Sequence, residues 1–318
     1  MKYNILIPHK NDPKRLKRCL DSIPQREDLR VIVVDDNSDP NIVDFDNFPG
    51  NDRKDVKIIF DKIGGGAGHA RNIGLKYVNA EKLINADADD FFTYCFNDVL
   101  DEYADDDSDI VFLNACSIEE GTYLNADRSA YQNKIIKGYL EGDRKYYELI
   151  LRYDHGSPCS KIFKKSLIDE NNICFEEVPM HDDTAFCYLT GHYAKKIKVD
   201  KRAIYCISYS PTSISFTLTD EKYITRMHVI GKRDQFIKSL GIDLQSHGKF
   251  LEKSLTDIYS SGNYKLYEKC LKILEKYGFS SVLMNDKIKN NIKDKKEKEK
   301  RIRRNSFIKR ILNYCHII

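Results

Sequence analysis

Three aspartates within four residues are the side chains of this sequence best suited to bind a metal ion. Asp87, Asp89 and Asp90 follow an apolar stretch, and carboxylates so close together repel one another unless a cation or water offsets their charge. Hard divalent cations take oxygen ligands, commonly one or two carboxylates together with substrate phosphates. The pattern predicts a Mn²⁺ or Mg²⁺ site beside a diphosphate, with the direct ligand among the three left open. The alternative is that they only cap a helix beginning near Phe96.

A loop of small residues precedes the acidic cluster. Residues 64–68 read Gly-Gly-Gly-Ala-Gly and lead to Arg71. The loop lacks the Lys-Ser/Thr that ends a P-loop and the third glycine of the G-x-G-x-x-G spacing, which argues against an NTPase and against a dinucleotide site. The glycines alone are compatible with a simple flexible turn. A guanidinium near helix-initiating amides is, however, a good partner for a diphosphate, so we expect Arg71 to lie near one.

The elements that must position these residues alternate along the first 115 residues. Apolar runs predict strands over 4–8, 30–34, 56–60, 82–86 and 109–114, and amphipathic spacing predicts helices over 13–23 and 68–77. This alternation predicts an α/β fold with a mainly parallel central sheet flanked by helices. In such sheets ligands bind beyond the carboxyl ends of the strands. Asp35-Asp36 and the acidic cluster both follow predicted strands.

Composition limits the protein class. The chain has 318 residues, of which 41% are hydrophobic, and its mean hydropathy is −0.54. No apolar run of 18 residues suggests a transmembrane helix, and the start lacks a signal-type apolar segment, so we expect a cytoplasmic protein. The nine cysteines are scattered, odd in number and without a C-x-x-C pair. They predict neither a disulfide framework nor a zinc site.

The basic character belongs to the end of the chain. Residues 221–284 have helical apolar spacing, and residues 285–318 carry twelve Lys and Arg against four Asp and Glu. Apolar side chains from Phe307 to Ile318 form a face beside the basic residues at positions 301, 303, 304, 309 and 310, a pattern that suggests binding to an anionic membrane surface. Dimerisation or a disordered tail are the alternatives. Nucleic-acid binding is not predicted, because stacking aromatic residues and a basic groove are not evident.

Several motifs together resemble a known family. Ile5-Leu6-Ile7-Pro8 with Asn11, then residues 33–38, 70–74 and 87–90, are similar in order and spacing to the family 2 inverting glycosyltransferases of the GT-A fold. Residues 160–167, 181–186 and 209–215 resemble further segments of that family. The resemblance covers roughly residues 1–220. It implies a GT-A catalytic domain over 1–220, a helical region over 221–284 and a basic tail over 285–318.

The resemblance also implies roles for the donor side. Pro8 would border the base, Asp36, with Asp35, would accept a hydrogen bond from uracil or another base, and Asp89 would approach the ribose or the metal. The nucleotide-sugar site implied in this way comprises Pro8, Asn11, Asp35, Asp36, Gly68, Arg71, Asp87 and Asp89. The implied metal ligands are Asp89, Asp90 and Asp87. The family commonly carries an aromatic residue where this chain has Lys10, and many members have Trp at the position of Cys159, so recognition of the base and the acceptor can differ.

On the acceptor side, the resemblance implies that Asp183 is the catalytic base, with Asp182 as its competitor. The alternative is an acidic pair neutralised by Lys161 or His181. His9, His69, His155 and His181 lie in or near motifs, but no zinc spacing joins them and structural roles are expected.

The function that follows is metal-dependent transfer of a sugar from a nucleoside diphosphate, expected to be a UDP-sugar, to a glycan or lipid-linked acceptor in polysaccharide biosynthesis. We expect such a protein to lie at the inner face of the cell membrane. One alternative is a sugar nucleotidyltransferase, although its glycine-rich, lysine-bearing loop after the first strand is missing. The other is a non-catalytic nucleotide-sugar-binding protein. A homo-oligomer is compatible with each of these three functions.

Overall fold

A computed structural model describes residues 1–210, 218–244, 248–290, 292–294, 297 and 300. The chain divides into two compact units, one over Met1–Leu218 and a second that begins at Thr219. Residues 211–217, which hold most of the 209–215 motif, and residues 301–318 of the basic tail lie outside the described residues.

The first unit contains one sheet and seven helices among its described residues. Its strands are β1 Tyr3–His9, β2 Leu29–Asp36, β3 Val56–Asp61, β4 Lys82–Asn85, β5 Phe91–Phe92, β6 Ile110–Glu119, β7 Lys161–Lys164 and β8 Ile197–Tyr209. Its helices are α1 Pro13–Asp21, α2 Ala67–Leu75, α3 Phe96–Tyr103, α4 Ala130–Glu141, α5 Arg144–Tyr153, α6 Lys165–Glu170 and α7 Thr184–Tyr193.

The eight strands are arranged in the order β3-β2-β1-β4-β7-β6-β8-β5. Six strands run in one direction, while β7 and β5 run antiparallel to their neighbours. The predicted α/β fold with a mainly parallel sheet is therefore confirmed. Because β2, β1 and β4 are adjacent and parallel, their carboxyl ends meet at one edge. The residues that directly follow these three strands therefore lie along this edge.

The local sequence explains these elements. The β2 residues Val31–Val34 are buried without alternation, as expected of a central strand covered on both faces. Helix α1 begins at Pro13, where a proline costs no intrahelical bond, and the Asp12 carboxylate caps it by accepting from the Arg15 amide at 3.1 Å. Leu16, Cys19 and Leu20 form its buried face.

One strand differs clearly from its predicted length. The strand predicted over 109–114 extends to Glu119, because residues 114–119 pair with 203–209 of β8 after a bulge. That pairing joins segments about 90 residues apart, so the local pattern around residue 115 carried no sign of it.

The second unit is helical in its described part. It contains α8 Asp220–Ser239, α9 Lys249–Ser260 and α10 Tyr264–Glu275, followed by a helical stretch over 281–290. The helices enclose their own core, which includes Met227, Leu251, Leu255, Cys270 and Ile288. This confirms the predicted C-terminal helical region. A search of the described helices found none with the length and apolar character needed to cross a bilayer.

Candidate active site

The carboxyl end of β2 carries two neighbouring aspartates with different environments. Asp35 is buried, and its carboxylate accepts hydrogen bonds from His9 Nδ1 at 2.8 Å and from the Ser38 hydroxyl at 2.6 Å. The Asp12 amide donates to His9 Nε2 at 3.1 Å, so the ring proton is on Nδ1. Burial alone would raise the pKa of Asp35, but the bonds from His9 and Ser38 outweigh it and lower that pKa. Asp35 thus serves to hold the turn together.

Asp36 faces the glycine loop instead. Its two carboxylate oxygens each lie 3.0 Å from the Gly66 amide, and Lys10 Nζ lies 3.1 Å from one of them. The Asp36 side chain is nearly buried, whereas half of the Lys10 side chain is exposed. Asp36 and Lys10 therefore place a hydrogen-bond acceptor beside a donor at the protein surface.

Pro8 and Asn11 complete this part of the site. Pro8 is partly exposed at the end of β1. The side-chain oxygen of Asn11 accepts a hydrogen bond from the main-chain amide of Asp39 at 2.7 Å, and the main-chain amide of Asn11 donates to the Ser38 hydroxyl at 2.8 Å. These bonds tie the turn after β1 to the turn after β2.

The three aspartates after β4 are not equivalent. Asp90 is buried and accepts from the Ser208 amide at 2.7 Å and from the Tyr205 hydroxyl, which in turn accepts from the Asp87 amide. Asp87 is 42% exposed and pairs with Arg71 at 2.6 Å. Asp89 is partly buried and, among the described residues, receives no hydrogen bond from another side chain. Asp89 thus has oxygen lone pairs that no neighbouring side chain uses.

Nearby positive groups offset only part of the negative charge of Asp87, Asp89 and Asp90. Burial, followed by repulsion from Asp87, raises the pKa of Asp89 to about 6, and the same causes raise the pKa of Asp90 well above its usual value. The alternative to a metal site, in which these residues only cap a helix, is wrong. Helix α3 does begin at Phe96, but its cap residue is Cys95 and no side chain caps it.

Arg71 joins the acidic cluster to the loop before α7. Its guanidinium donates to Asp87 at 2.6 Å and to Asp182 at 2.5 Å, and it lies over the Phe175 ring at 5.3 Å. The side chain is only 6% exposed. Burial alone would lower the pKa of Arg71, but Asp87 and Asp182 raise it. One buried cation therefore links both sides of the predicted site.

Asp183 has a different environment from Asp182. It precedes α7, but its carboxylate makes no capping bond and, within the described residues, accepts no hydrogen bond from another side chain. Burial, followed by repulsion from Asp182, raises the pKa of Asp183 to about 7. A carboxyl with this pKa is suited to exchange a proton near neutral pH. The partner of Asp182 is Arg71, whereas the buried Lys161 ammonium donates to the His155 carbonyl at 2.7 Å.

Gly68 lies where α2 approaches the loop before α7. A Cβ added there would lie 2.1 Å from the Glu176 carbonyl oxygen and 3.0 Å from Asp182 Cβ. The glycine therefore permits a close approach that places Arg71 beside Asp182. Its predicted contact with the nucleotide stays a prediction.

Left-handed backbone is found at several turns around the site. Asn11, Asn37, Ser160 and His181 have φ between 56° and 60° although none is glycine. Two of these turns flank Asp36, and His181 directly precedes Asp182.

Three of the four histidines named above have structural surroundings. His9 bonds to Asp35, His69 lies 3.0 Å from Glu177 and 3.5 Å from Asp61, and His155 is buried beside Phe112. Across the residues that the structure describes, no three His, Cys, Asp or Glu side chains are grouped so as to hold a metal ion by themselves. Asp89 fits a metal only together with further oxygens, as when Mg²⁺ is shared between one or two carboxylates and substrate phosphates.

The sequence does not reveal two residues of the site. Lys10 stands where the family commonly has an aromatic residue, and the structure shows that it contacts Asp36. Arg18 lies within the predicted helix over 13–23, and it bonds to the Asp89 carbonyl at 2.5 Å. Their partners lie 26 and 71 residues away, and a single sequence contains no signal for such contacts.

Comparison with known proteins gives consistent results. A model of "Glycosyl transferase family 2" matches residues 4–170. Glycosyltransferase GlyG of Streptococcus pneumoniae is 27% identical over 61% of this chain and 66% of its own length. Putative glycosyltransferase EpsH of Bacillus subtilis is 22% identical over 64% of this chain and 59% of its own. The chain thus spans less than two thirds of either relative.

A third relative also has solved structures. The Staphylococcus aureus poly(ribitol-phosphate) beta-N-acetylglucosaminyltransferase TarS is 24% identical over 63% of this chain and 34% of its own length. The structure of S. aureus TarS 1-349 in complex with UDP-GlcNAc has a TM-score of 0.61 at 17% identity and covers 92% of both chains. This likeness shows that the two share a fold.

Proposed function

The chain belongs to glycosyl transferase family 2, and from this premise we propose that it is an inverting glycosyltransferase that takes a sugar from a nucleoside diphosphate. The proposed acceptor is a hydroxyl of a glycan or lipid-linked molecule in polysaccharide biosynthesis. The observation that supports this best is the buried Arg71 guanidinium, which bonds both to Asp87 of the acidic cluster and to Asp182, the neighbour of Asp183, and so joins the donor-side carboxylates to the acceptor-side pair. Asp36, Asp89 and Asp183 each have a distinct environment, which suits the separate roles of binding the base, holding a cation and accepting a proton.

The Asp36 and Lys10 pair supports a donor base that carries an imide, such as uracil. Such a base presents an N–H donor next to a carbonyl acceptor. Asp36 would accept from the N–H, and Lys10, 3.1 Å from Asp36, would donate to the carbonyl. Cytosine lacks this N–H, so a CDP-sugar would leave the Asp36 carboxylate facing another acceptor. TarS, a protein of the same fold, has been solved with UDP-GlcNAc and with UDP.

Asp89 is the residue we propose to hold a Mn²⁺ or Mg²⁺ ion, with Asp87 beside it. A bound cation supplies Lewis acidity and offsets the charge of the leaving diphosphate. The raised pKa of Asp89 supports this assignment, because the carboxylate lies in an environment short of positive charge. Asp90 is already bonded to Ser208 and Tyr205, so its proposed role is to support the turn.

Asp183 is the proposed general base. The acceptor oxygen forms a bond to the anomeric carbon while its proton passes to the Asp183 carboxylate. The bond from that carbon to the diphosphate oxygen breaks at the same time, and the electron pair leaves with the nucleoside diphosphate. One displacement inverts the anomeric carbon. Asp182 is held by Arg71 at 2.5 Å and would keep the loop in place.

A screen of nucleotide sugars tests the proposal. The purified chain with Mn²⁺ should release UDP from at least one UDP-sugar, and Asp89→Asn should abolish the release. Release of pyrophosphate from an NTP and a sugar phosphate would instead identify a sugar nucleotidyltransferase. Saturable binding of a nucleotide sugar with no turnover on any acceptor would indicate a binding protein.

The sequence of residues 285–318 supports a further part of the proposal, which is binding to an anionic membrane surface. Twelve basic residues against four acidic ones give this segment a charge that such a surface attracts.

A further inference from the structure

Arg18 lies on α1, outside the residues assigned above, and makes an unusual set of contacts. Its Nη2 donates to the Asp89 carbonyl at 2.5 Å and to the Ser208 hydroxyl at 2.8 Å. The same guanidinium forms a fork with both carboxylate oxygens of Glu120, each at 3.1 Å. It also lies 5.1 Å from the centre of the Phe91 ring. One side chain thus joins the acidic turn, at the Asp89 carbonyl, to three groups around it.

The contacts are shielded enough to matter energetically. The Arg18 and Glu120 side chains are 23% and 24% exposed, and Arg18 Nε is buried. A planar guanidinium that binds a carboxylate at two points holds its partners in one orientation, which a lysine ammonium does not reproduce. Glu120 therefore holds the Arg18 guanidinium in place, and the guanidinium in turn holds the Asp89 carbonyl.

The same contacts connect the acidic turn to a neighbouring surface turn. Glu120 begins the turn after β6, where the Tyr123 amide bonds to the Glu119 carbonyl at 2.9 Å. Tyr123 and Leu124 are 61% and 64% exposed there. Ser208 in turn donates its amide to Asp90. A shift of the Arg18 side chain would therefore disturb Asp89, Asp90 and the exposed turn that carries Tyr123.

We propose that Arg18 is a positioning residue that fixes the main chain of Asp89 and so sets the affinity for a metal-bound nucleotide. The part of this inference that concerns the nucleotide rests on the proposed function. The part that concerns the Asp89 main chain does not. Removal of groups that orient a metal ligand typically weakens metal affinity by about 10- to 100-fold, although the group never touches the metal.

The test compares Arg18→Met with a matched control, Arg26→Gln. Arg26 also makes a fork, to Asp28, and further bonds to Asp101 and Asn97, but it lies away from the acidic turn. Hydrogen exchange of the ligand-free chain should be about tenfold faster over 87–92 in Arg18→Met and unchanged there in Arg26→Gln. Calorimetry should give at least about tenfold weaker UDP binding in the presence of Mn²⁺, with metal-free UDP binding within about twofold.

Unchanged exchange over 87–92 in Arg18→Met would overturn the inference. Equal losses of UDP affinity with and without Mn²⁺ would overturn the metal-specific part. If Arg18→Met does not fold, Arg18→Lys takes its place and should be intermediate, since it keeps the charge without the fork; wild-type exchange and affinity in that variant would contradict the proposal. If the wild-type chain binds no nucleotide, the proposed function fails, while the exchange comparison still decides the role of Arg18.

Discussion

Asp182 and Asp183 are adjacent in sequence but have different electrostatic surroundings. Arg71 bonds to Asp182 at 2.5 Å, whereas Asp183 has no side-chain hydrogen-bond donor among the described residues and its pKa is raised to about 7. Burial raises the pKa of Asp182 as well, but its bond to Arg71 counters that rise, which makes Asp182 the weaker proton acceptor of the two. This difference is a physical reason, independent of the family resemblance, for proposing Asp183 as the base.

Asp183→Asn tests this role directly. The amide keeps the shape of the side chain but is not a base, so we expect kcat to fall by about 10²- to 10⁴-fold, which is roughly 3–5 kcal/mol of barrier. Calorimetry should show donor affinity within a few-fold of wild type. Asp182→Asn serves as the comparison and should chiefly lower thermal stability, because it leaves Arg71 with one carboxylate. Near-normal kcat in Asp183→Asn would contradict the assignment.

The pH dependence gives a second prediction. A general base works only when it is unprotonated, so with a pKa of about 7 for Asp183 we expect kcat/KM to rise with pH up to about 7 and then to level off. The profile should be measured between about pH 5 and 9, and the rising limb should be absent from the residual rate of Asp183→Asn. A rate independent of pH across this range would count against Asp183 as the base.

The same raised pKa has the opposite consequence for folding. Between the ordinary aspartate pKa of 3.8 and about 7, the folded chain holds a proton on Asp183 that the unfolded chain has released. The free energy of unfolding contributed by this group therefore falls as pH rises through that window.

At the level of secondary structure, the approach of α2 to the loop before α7 brings Arg71 and Asp182 together. Gly68 makes that approach possible, because a Cβ would lie 2.1 Å from the backbone oxygen of Glu176. Backbone atoms give way less easily than the end of a side chain. The close approach of α2 to this loop therefore requires a residue without a Cβ at position 68.

Gly68→Ala should therefore destabilise the protein, although alanine is the better helix former by about 1 kcal/mol. We expect a loss of roughly 1–3 kcal/mol in the free energy of unfolding, typical of overpacking, together with a large loss of kcat. Denaturant unfolding and turnover would measure both. Gly156→Ala is the control, because a Cβ at that position meets nothing within 4 Å. A more stable Gly68→Ala variant with normal turnover would contradict this account.

The sequence predicted individual elements better than their contacts. The strand predicted over 30–34 lies within β2, and the helix predicted over 68–77 overlaps α2, because burial and local periodicity determine both. The difference between Asp35 and Asp36 could not be predicted, since it depends on His9 and Gly66 across two turns. Arg18 was missed for the same reason.

At the scale of the whole molecule, basic charge is concentrated at the end of the chain. The net charge is +3, yet residues 285–318 alone contribute +8. Part of this segment belongs to a folded unit, because Ile288 is fully buried in the core of the second unit. A truncation that tests membrane binding must therefore keep Ile288.

Deletion of residues 301–318 is the suitable variant. It removes the apolar side chains between 307 and 318 and four arginines together with one lysine. We expect binding to vesicles of anionic lipid to weaken by at least about tenfold, since each basic residue near such a surface contributes about 1 kcal/mol. Vesicle sedimentation measures this, with neutral lipid vesicles as the control and donor turnover unchanged. Equal binding by the full and truncated chains would refute membrane attachment through this segment.

The left-handed backbone at Ser160 and His181 has a consequence for engineering. Side chains at such φ values cost free energy that glycine would not, and similar strain is common at functional sites. Glycine at either position would remove that cost but would also loosen the turn, and His181 directly precedes the acidic pair. Variants selected for heat resistance alone would therefore tend to carry glycine at these positions and to lose catalytic rate.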